Sequence, residues 1–451
     1  MLDIGKSNTK LSLLDRASGQ TIHRAERCTA AASANPIPQL DVCAIESWLT
    51  ESLATAPGRD RIDSIVPVAH GAAAALVSAT DEALAVPDYE ALVFDQLSAD
   101  YRPQRDPFEL TFSPWLPRGL NLGRQLFHYQ QREPALFARV ATVLPYPQYW
   151  AWRLCAVKAS ELTSLGCHTD LWQPLHRKYS GLARRHGWSS LLPPLRPANQ
   201  VLGRITPEFA RATGLDPECR VLCGIHDSNA SYLQHVATRP AGSPVAIVSS
   251  GTWTIVMARG ADLFRLREDE DMLANVDAQG DCVATARFMG GREYEVIAGS
   301  GSKSGTPTTQ ALADVVRRGA MALPSFVPTG VLFGGKTGRL IGAERLDHPH
   351  RAALATLYCA LMVDRLLDLL DMRGGDVVIE GPLAANPLFA PVLAALRPHA
   401  DVFVGGHAGS RLAAGGVLAG IKPAVISTPP VPAIECTGLD GYRQTWKERV
   451  A

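Results

Sequence analysis

No run of about 20 apolar residues occurs anywhere in this 451-residue chain, so nothing in it reads as a membrane-spanning helix. An excess of one charge is equally missing. The 44 basic residues are matched by 44 acidic ones, and without a global field neither nucleic acid nor a membrane surface is expected as a partner. There is no CxxC pair. The nine cysteines are odd in number and scattered, which reads as reduced, mostly buried thiols rather than a disulfide framework or a zinc site. No basic segment followed by an apolar one opens the chain, so a cytoplasmic location is expected. Only two residues precede Asp3, which leaves a short first strand and reads as a truncated start.

What is present is a 46% hydrophobic, 20% charged composition over a length that calls for more than one core. Stretches of period-2 and period-3.6 hydrophobicity alternate throughout, which predicts an α/β class. Strands are predicted at 62–69, 245–249, 252–258, 376–380 and 401–404. Helices are predicted at 44–56, 121–131, 207–213, 228–237, 309–322, 350–371, 386–396 and 410–420. Proline and glycine near 238–244 mark a linker and divide the chain into domains at 1–240 and 241–451. Between about 95 and 200 proline, tryptophan and arginine become dense, as suits either a substrate-facing insertion or a packing layer.

Three motifs carry chemistry. The opening "LDIGKSNTKLSLL" is apolar at Leu2 and Ile4, breaks at Gly5, runs polar through Lys10, and turns apolar again. That is a hairpin whose turn is lined with hydroxyl, amide and amine groups, and such a turn can hold an anion. A second hairpin of the same construction follows the linker, with Ser249, Ser250, Gly251 and Thr252 at its turn. Two related halves are implied, each presenting one polar turn. The third motif, "CGIHDSNAS", sets Asp227 at a strand-to-helix junction, where it is either a helix cap or a carboxylate able to accept a proton.

The set "DIGKSNTK", "GIHDSNAS", "SSGTW", "IEGPLAANPLFAPVLAAL" and "GSRLAAGGVLAG", in that order, resembles the FGGY carbohydrate kinases. The resemblance implies two actin-like, ribonuclease-H-like ATPase domains that take ATP and a sugar in an interdomain cleft. It implies that Asp3 holds Mg²⁺ through water, and that Gly5, Lys6, Ser7, Asn8 and Lys10 cradle phosphates. Ser250, Gly251 and Thr252 would do the same from the second domain, with Gly381 and Asn386 on the adenosine side. Asp227 would be the general base, and His226 and His70 would contact the sugar. The implied substrate is a ketose, either a deoxyketohexose such as L-fuculose or L-rhamnulose or a ketopentose such as xylulose. A homodimer is implied by resemblance alone. The chain departs from the family where Glu380, Gly381 and Pro382 replace a longer glycine run, and where Lys6 replaces a common threonine.

Other readings compete. Residues 330–337, "GVLFGGKT", fit the Walker A expression, but two prolines precede them and Gly338 and Gly342 follow where a helix would have to run. "SNTK" and "SGSK" fit S-x-x-K and "KTG" fits a second element of penicillin-recognising enzymes, a chemistry that needs the serine at a helix start. A catalytically idle sensor of the kinase fold is the third alternative. The presence of Asp3, Asp227 and Thr252 together weighs against it.

Overall fold

The structure, a computed structural model, describes the whole chain except residues 30–36, 300–304, 328–331, 334–335, 406–409 and 423–428. It divides into two compact units. The first comprises Met1–Thr238, Ala274–Cys282 and Gly409–Val425; the second comprises Arg239–Leu273, Val283–Ala408 and Ile426–Ala451.

The first unit is built on strands β1 (Leu2–Ile4), β2 (Asn8–Leu14) and β3 (Thr21–Cys28), helix α1 (Val42–Ala54), strand β4 (Pro67–Ala69), helix α2 (Leu162–Leu165), strand β5 (Ile225–His226) and helix α3 (Asp227–Val236). Its sheet has the order β5-β4-β1-β2-β3. β1, β2 and β3 pair antiparallel, whereas β4 runs parallel to β1 and β5 parallel to β4. Leu2 and Ile4 are fully buried, as a central strand covered on both faces requires. β3 alternates exposed and half-buried positions and carries His23, Arg24, Glu26 and Arg27, charges that keep an edge strand from pairing with another chain. α1 buries Ile45, Leu49 and Leu53, spaced four apart on one face, and Asp41 caps it by accepting from the Ala44 amide at 3.0 Å.

A second set of elements repeats this plan with β6 (Val245–Ser250), β7 (Thr254–Arg259), β8 (Met272–Val276), β9 (Cys282–Phe288), α4 (Gly290–Ala298), α5 (His348–Leu369), β10 (Gly375–Glu380), α6 (Phe389–Leu396), β11 (Ala400–Val404) and α7 (Leu439–Val450). The sheet order is β8-β9-β7-β6-β10-β11. β6, β7 and β9 pair antiparallel, and β10 and β11 continue parallel to β6. The core helix α5 is buried along nearly its whole length, and its Asp364 meets the guanidinium groups of Arg397 and Arg443.

Several elements differ from the periodicity reading for local reasons. The strand expected at 62–69 splits into Ser64–Ile65 and β4, because Pro67 has no N–H with which to continue the first ladder. The helix expected to reach 322 stops at Arg318, where Gly319 takes φ 65°, and Met321–Leu323 becomes a strand. The strand expected from 252 begins at Thr254. Both hairpins consequently have three-residue turns, at 5–7 and 251–253.

The region rich in proline and tryptophan is a packing layer. Tyr101, Trp150 and Trp188 are among its fully buried side chains, and Trp115 lies under the guanidinium groups of Arg102, Arg105 and Arg124 at 5.5, 5.6 and 4.5 Å. No helix among the described residues is long and apolar enough to cross a membrane.

Candidate active site

Three neighbouring parallel strands of the first unit end at one edge of the sheet. Register aligns Ile4 with Ala69 and Ala69 with His226. Gly5, His70 and Asp227 each follow one of these aligned residues, so topology gathers segments more than 60 residues apart into one place. Asp3 lies one register step back, 6% exposed. Open α/β sheets bind ligands at the carboxyl ends of their strands, and this edge is such a place.

The turn after β1 is closed by the Gly5 amide donating to the Asn8 carbonyl at 2.9 Å. A Cβ on Gly5 would lie 2.9 Å from that same oxygen, so the turn is tight enough to need glycine. Ser7 is exposed at its tip and Asn8 half-buried. Both lysines of the motif are already paired. Lys6 Nζ meets Asp88 Oδ1, stands 3.7 Å from Glu90 Oε2, and lies 5.0 Å from the centre of the Tyr89 ring, while Lys10 reaches Glu26 at 3.7 Å. The charge that Lys6 brings to the turn is therefore balanced by Asp88 and Glu90.

His70 is buried against Tyr146 and Tyr89, with ring centroids at 4.8 and 5.4 Å. Burial pushes its imidazole down to about 4, and the His70 Nδ1 contact with the Gly71 carbonyl at 3.0 Å and the Asp227 charge only partly oppose that. It is neutral at physiological pH. His226 Nε2 stands 3.2 Å from Asp227 Oδ1, and Ser228 Oγ donates to the same oxygen at 3.3 Å. Behind them Glu161 accepts from the Thr163 hydroxyl at 2.5 Å, and Thr163 Oγ1 accepts from the His226 amide at 3.0 Å. Glu161 is 1% exposed, and burial pushes its carboxyl up to about 7 against the three donors of α2 that hold it.

In the second unit Ser250 ends β6. Its hydroxyl donates to the Glu380 carbonyl at 2.5 Å and accepts from the Leu383 amide at 3.0 Å. Gly381, at φ 75°, would carry a Cβ only 2.0 Å from the Ser250 carbonyl oxygen. Its lack of a side chain thus serves the contact with β6. Asn386 donates to Thr356 Oγ1 at 2.9 Å and accepts from the Leu388 amide at 3.0 Å, so both ends of its amide hold backbone and helix α5. A Cβ on Gly251 would lie 3.7 Å from the Trp253 carbonyl oxygen, an ordinary contact, and Thr252 is exposed.

Sequence reasoning missed Asp88, Tyr89, Glu90, Glu161 and Asn229. It also missed the pair Gly290 and Gly291 that opens α4, where added Cβ atoms would fall 2.1 Å from Thr254 Oγ1 and 2.2 Å from the Gly251 carbonyl. A Gly-Gly pair one residue after a strand is the available signal for the last two, and Asn229 stands two residues after Asp227 in the same motif; the others are brought in by long-range contacts.

The Walker A match lies partly outside the described residues, at 330, 331, 334 and 335, and so do Ser300 and Lys303 of the second S-x-x-K. What is described excludes a working P-loop, since Arg339–Ile341 is a strand where the helix should run. Lys336 Nζ instead donates to the carbonyls of Val450 and Ala451 at 2.7 and 3.0 Å. Ser7 and Lys10 sit in a strand-turn-strand, which disposes of the other S-x-x-K.

The described residues hold no group of three or more histidines, cysteines or acids that could hold a metal ion. One buried carboxylate beside a polar turn fits a Mg²⁺ ion that arrives with phosphates and keeps its own water.

Residues 242–426 match the family model for the C-terminal domain of the FGGY carbohydrate kinases. Over 113 residues the chain is 31% identical to the L-fuculokinase of Haemophilus influenzae, a match that covers 25% of this chain and 22% of that protein. The solved structure of a carbohydrate kinase from Novosphingobium aromaticivorans is 36% identical, with a TM-score of 0.91 over 100% of this chain and 99% of that one. A xylulose kinase from Rhodospirillum rubrum, 17% identical, shares the fold with a TM-score of 0.78 over 99% and 97% of the two chains. These likenesses bear out the expected fold class, an α/β chain with two actin-like ATPase domains.

Proposed function

We propose, for a chain that belongs to the FGGY carbohydrate kinase family, that it transfers the γ-phosphoryl group of ATP to a hydroxyl of a ketose. The observation that carries this reading is the convergence of Asp3, the 5–7 turn, His70 and Asp227 at one edge of the first sheet. Asp227 accepts the proton of the attacking hydroxyl as the new oxygen–phosphorus bond forms and the bond to ADP breaks. Such a base contributes roughly 10² to 10⁴-fold, and positioning and charge stabilisation supply the remainder.

The amides and side chains at Gly5, Ser7 and Asn8 bind phosphate oxygens, and Ser250, Gly251 and Thr252 bind the nucleotide from the second sheet. Lys6 and Lys10 add positive charge near the first turn, tempered by their carboxylate partners. Gly381 and Asn386 shape the adenosine-side loop by holding it against β6 and α5. Asp3 would hold Mg²⁺, which would supply neutralisation of polyphosphate charge. His70 and His226 flank the sugar beside Asp227, with His70 neutral and able to take part in hydrogen bonds to a neutral polyol.

The L-fuculokinase likeness favours a deoxyketohexose, with a ketopentose next. ADP release from MgATP across L-fuculose, L-rhamnulose, D- and L-xylulose, D- and L-ribulose, L-erythrulose and glycerol tests this. Turnover with one or two ketoses supports the reading. ATP hydrolysis indifferent to every sugar would overturn it.

A further inference from the structure

We infer that Asn229 and His226 form a positioning chain for Asp227, an inference that rests on Asp227 being the proton acceptor. His226 is the N-cap residue of α3, and Asn229 lies three residues on. Asn229 is fully buried and His226 is 4% exposed. His226 Nε2 stands 3.2 Å from Asp227 Oδ1, and Asn229 Nδ2 stands 3.3 Å from His226 Nδ1.

For a neutral imidazole, proton counting fixes the direction of both contacts. An ionised carboxylate only accepts, so Nε2 must carry hydrogen; a neutral imidazole has one N–H, so Nδ1 is the lone-pair nitrogen. Only a donor can meet it. The amide of Asn229 supplies that donor, and its other end, Oδ1, is buried without a hydrogen-bond partner among the described residues. Turning the amide over would set oxygen against Nδ1, draw the proton to that nitrogen, and leave Nε2 facing Asp227 with a lone pair.

The ring has no room to escape this arrangement. A Cβ on Gly71 would lie 2.5 Å from His226 Nε2, and the His226 amide is held by Thr163 Oγ1, itself anchored to Glu161. Asn229 therefore acts through His226: it selects the tautomer whose N–H holds one carboxylate oxygen of Asp227, and so sets the carboxylate's orientation. An asparagine that served packing alone would be replaced best by its isostere. One that selects a tautomer would be replaced worst by it, because aspartate at 229 accepts where asparagine donates.

The test compares Asn229→Asp, Asn229→Ala, His226→Gln and Asp227→Asn with wild type, using whichever ketose of the panel gives turnover. Asn229→Asp is expected to lower kcat at least about 30-fold with sugar KM within about threefold, and Asn229→Ala less than about tenfold. In the His226→Gln background, whose amide has no tautomer to choose, Asn229→Asp is expected to add no further loss. A readout independent of turnover is ¹⁵N-histidine NMR, with the His226 signals assigned by their loss in His226→Gln. Wild type should show the Nε2–H form and Asn229→Asp the Nδ1–H form or the imidazolium. Should Asn229→Asp not fold, partial appearance of the Nδ1–H signal in Asn229→Ala is expected in its place. An unchanged tautomer in the folded variants, or Asn229→Ala more damaging than Asn229→Asp, overturns the inference. Full activity of Asp227→Asn would instead overturn the reading beneath it.

Discussion

The two sheets share one topology and differ in what stands at the ends of their strands. In the first, the strand ends are followed by Gly5, His70 and Asp227, groups that can move protons or accept a tight phosphate turn. In the second, the corresponding ends lead to Ser250, whose hydroxyl donates to the Glu380 carbonyl and accepts from the Leu383 amide, and to Gly381, packed against the Ser250 carbonyl. His70 and Asp227 thus follow the strand ends of the first sheet, whereas Ser250 and Gly381 tie the strand ends of the second to each other.

The largest test of that contrast is Gly381→Ala. The added methyl group would sit 2.0 Å from the Ser250 carbonyl at a φ of 75°, and a loss of about 3 kcal/mol or more in unfolding free energy is expected from chemical denaturation. A loss under about 1 kcal/mol would mean the frame is looser than described.

Next in size are opposed pH effects in the first unit. His70 is depressed to about 4 from 6.5, so the folded state binds fewer protons than the unfolded one between those values, and stability falls as pH drops through that window. Glu161 is raised to about 7 from 4.5, so the folded state binds more protons there and stability falls as pH rises through it. Each contributes roughly 3 kcal/mol, with opposite sign. Melting temperatures measured from pH 4 to 7.5 should therefore fall toward acid in Glu161→Gln, where the His70 effect is unopposed, and fall toward neutral pH in His70→Asn, where the Glu161 effect is unopposed, with wild type flatter than either.

Smaller is the difference between the hairpin glycines. Gly5→Ala, with Asn8 O at 2.9 Å, is expected to cost about 1–2 kcal/mol, and Gly251→Ala, with only the Trp253 carbonyl oxygen at 3.7 Å, less than about 0.5. Equal costs would erase the asymmetry between the turns. Lys336→Ala is expected to leave the KM for ATP unchanged, since Lys336 holds the carbonyls of Val450 and Ala451.

Much of this was legible in the sequence because it is local. The break at Gly5, the polar run to Lys10 and the repeat of that form near 250 announce two hairpins, and Asp227 stands where an apolar strand meets a helix start. Illegible were contacts between distant segments. Nothing in "PDYEAL" says that Asp88 and Glu90 will claim Lys6, and nothing in "SELTSL" says that Glu161 and Thr163 will hold the His226 amide. The strand at Met321–Leu323 hid inside a helical pattern that Gly319 ends by backbone conformation.

The central claim is that Asp227 is the base, and ketose-dependent ADP release by Asp227→Asn, measured beside ATP affinity of the same protein, tests it most directly. The account predicts a kcat loss of about 10²-fold or more with ATP Kd within about threefold of wild type. Ketose-dependent turnover at the wild-type rate in Asp227→Asn would contradict it.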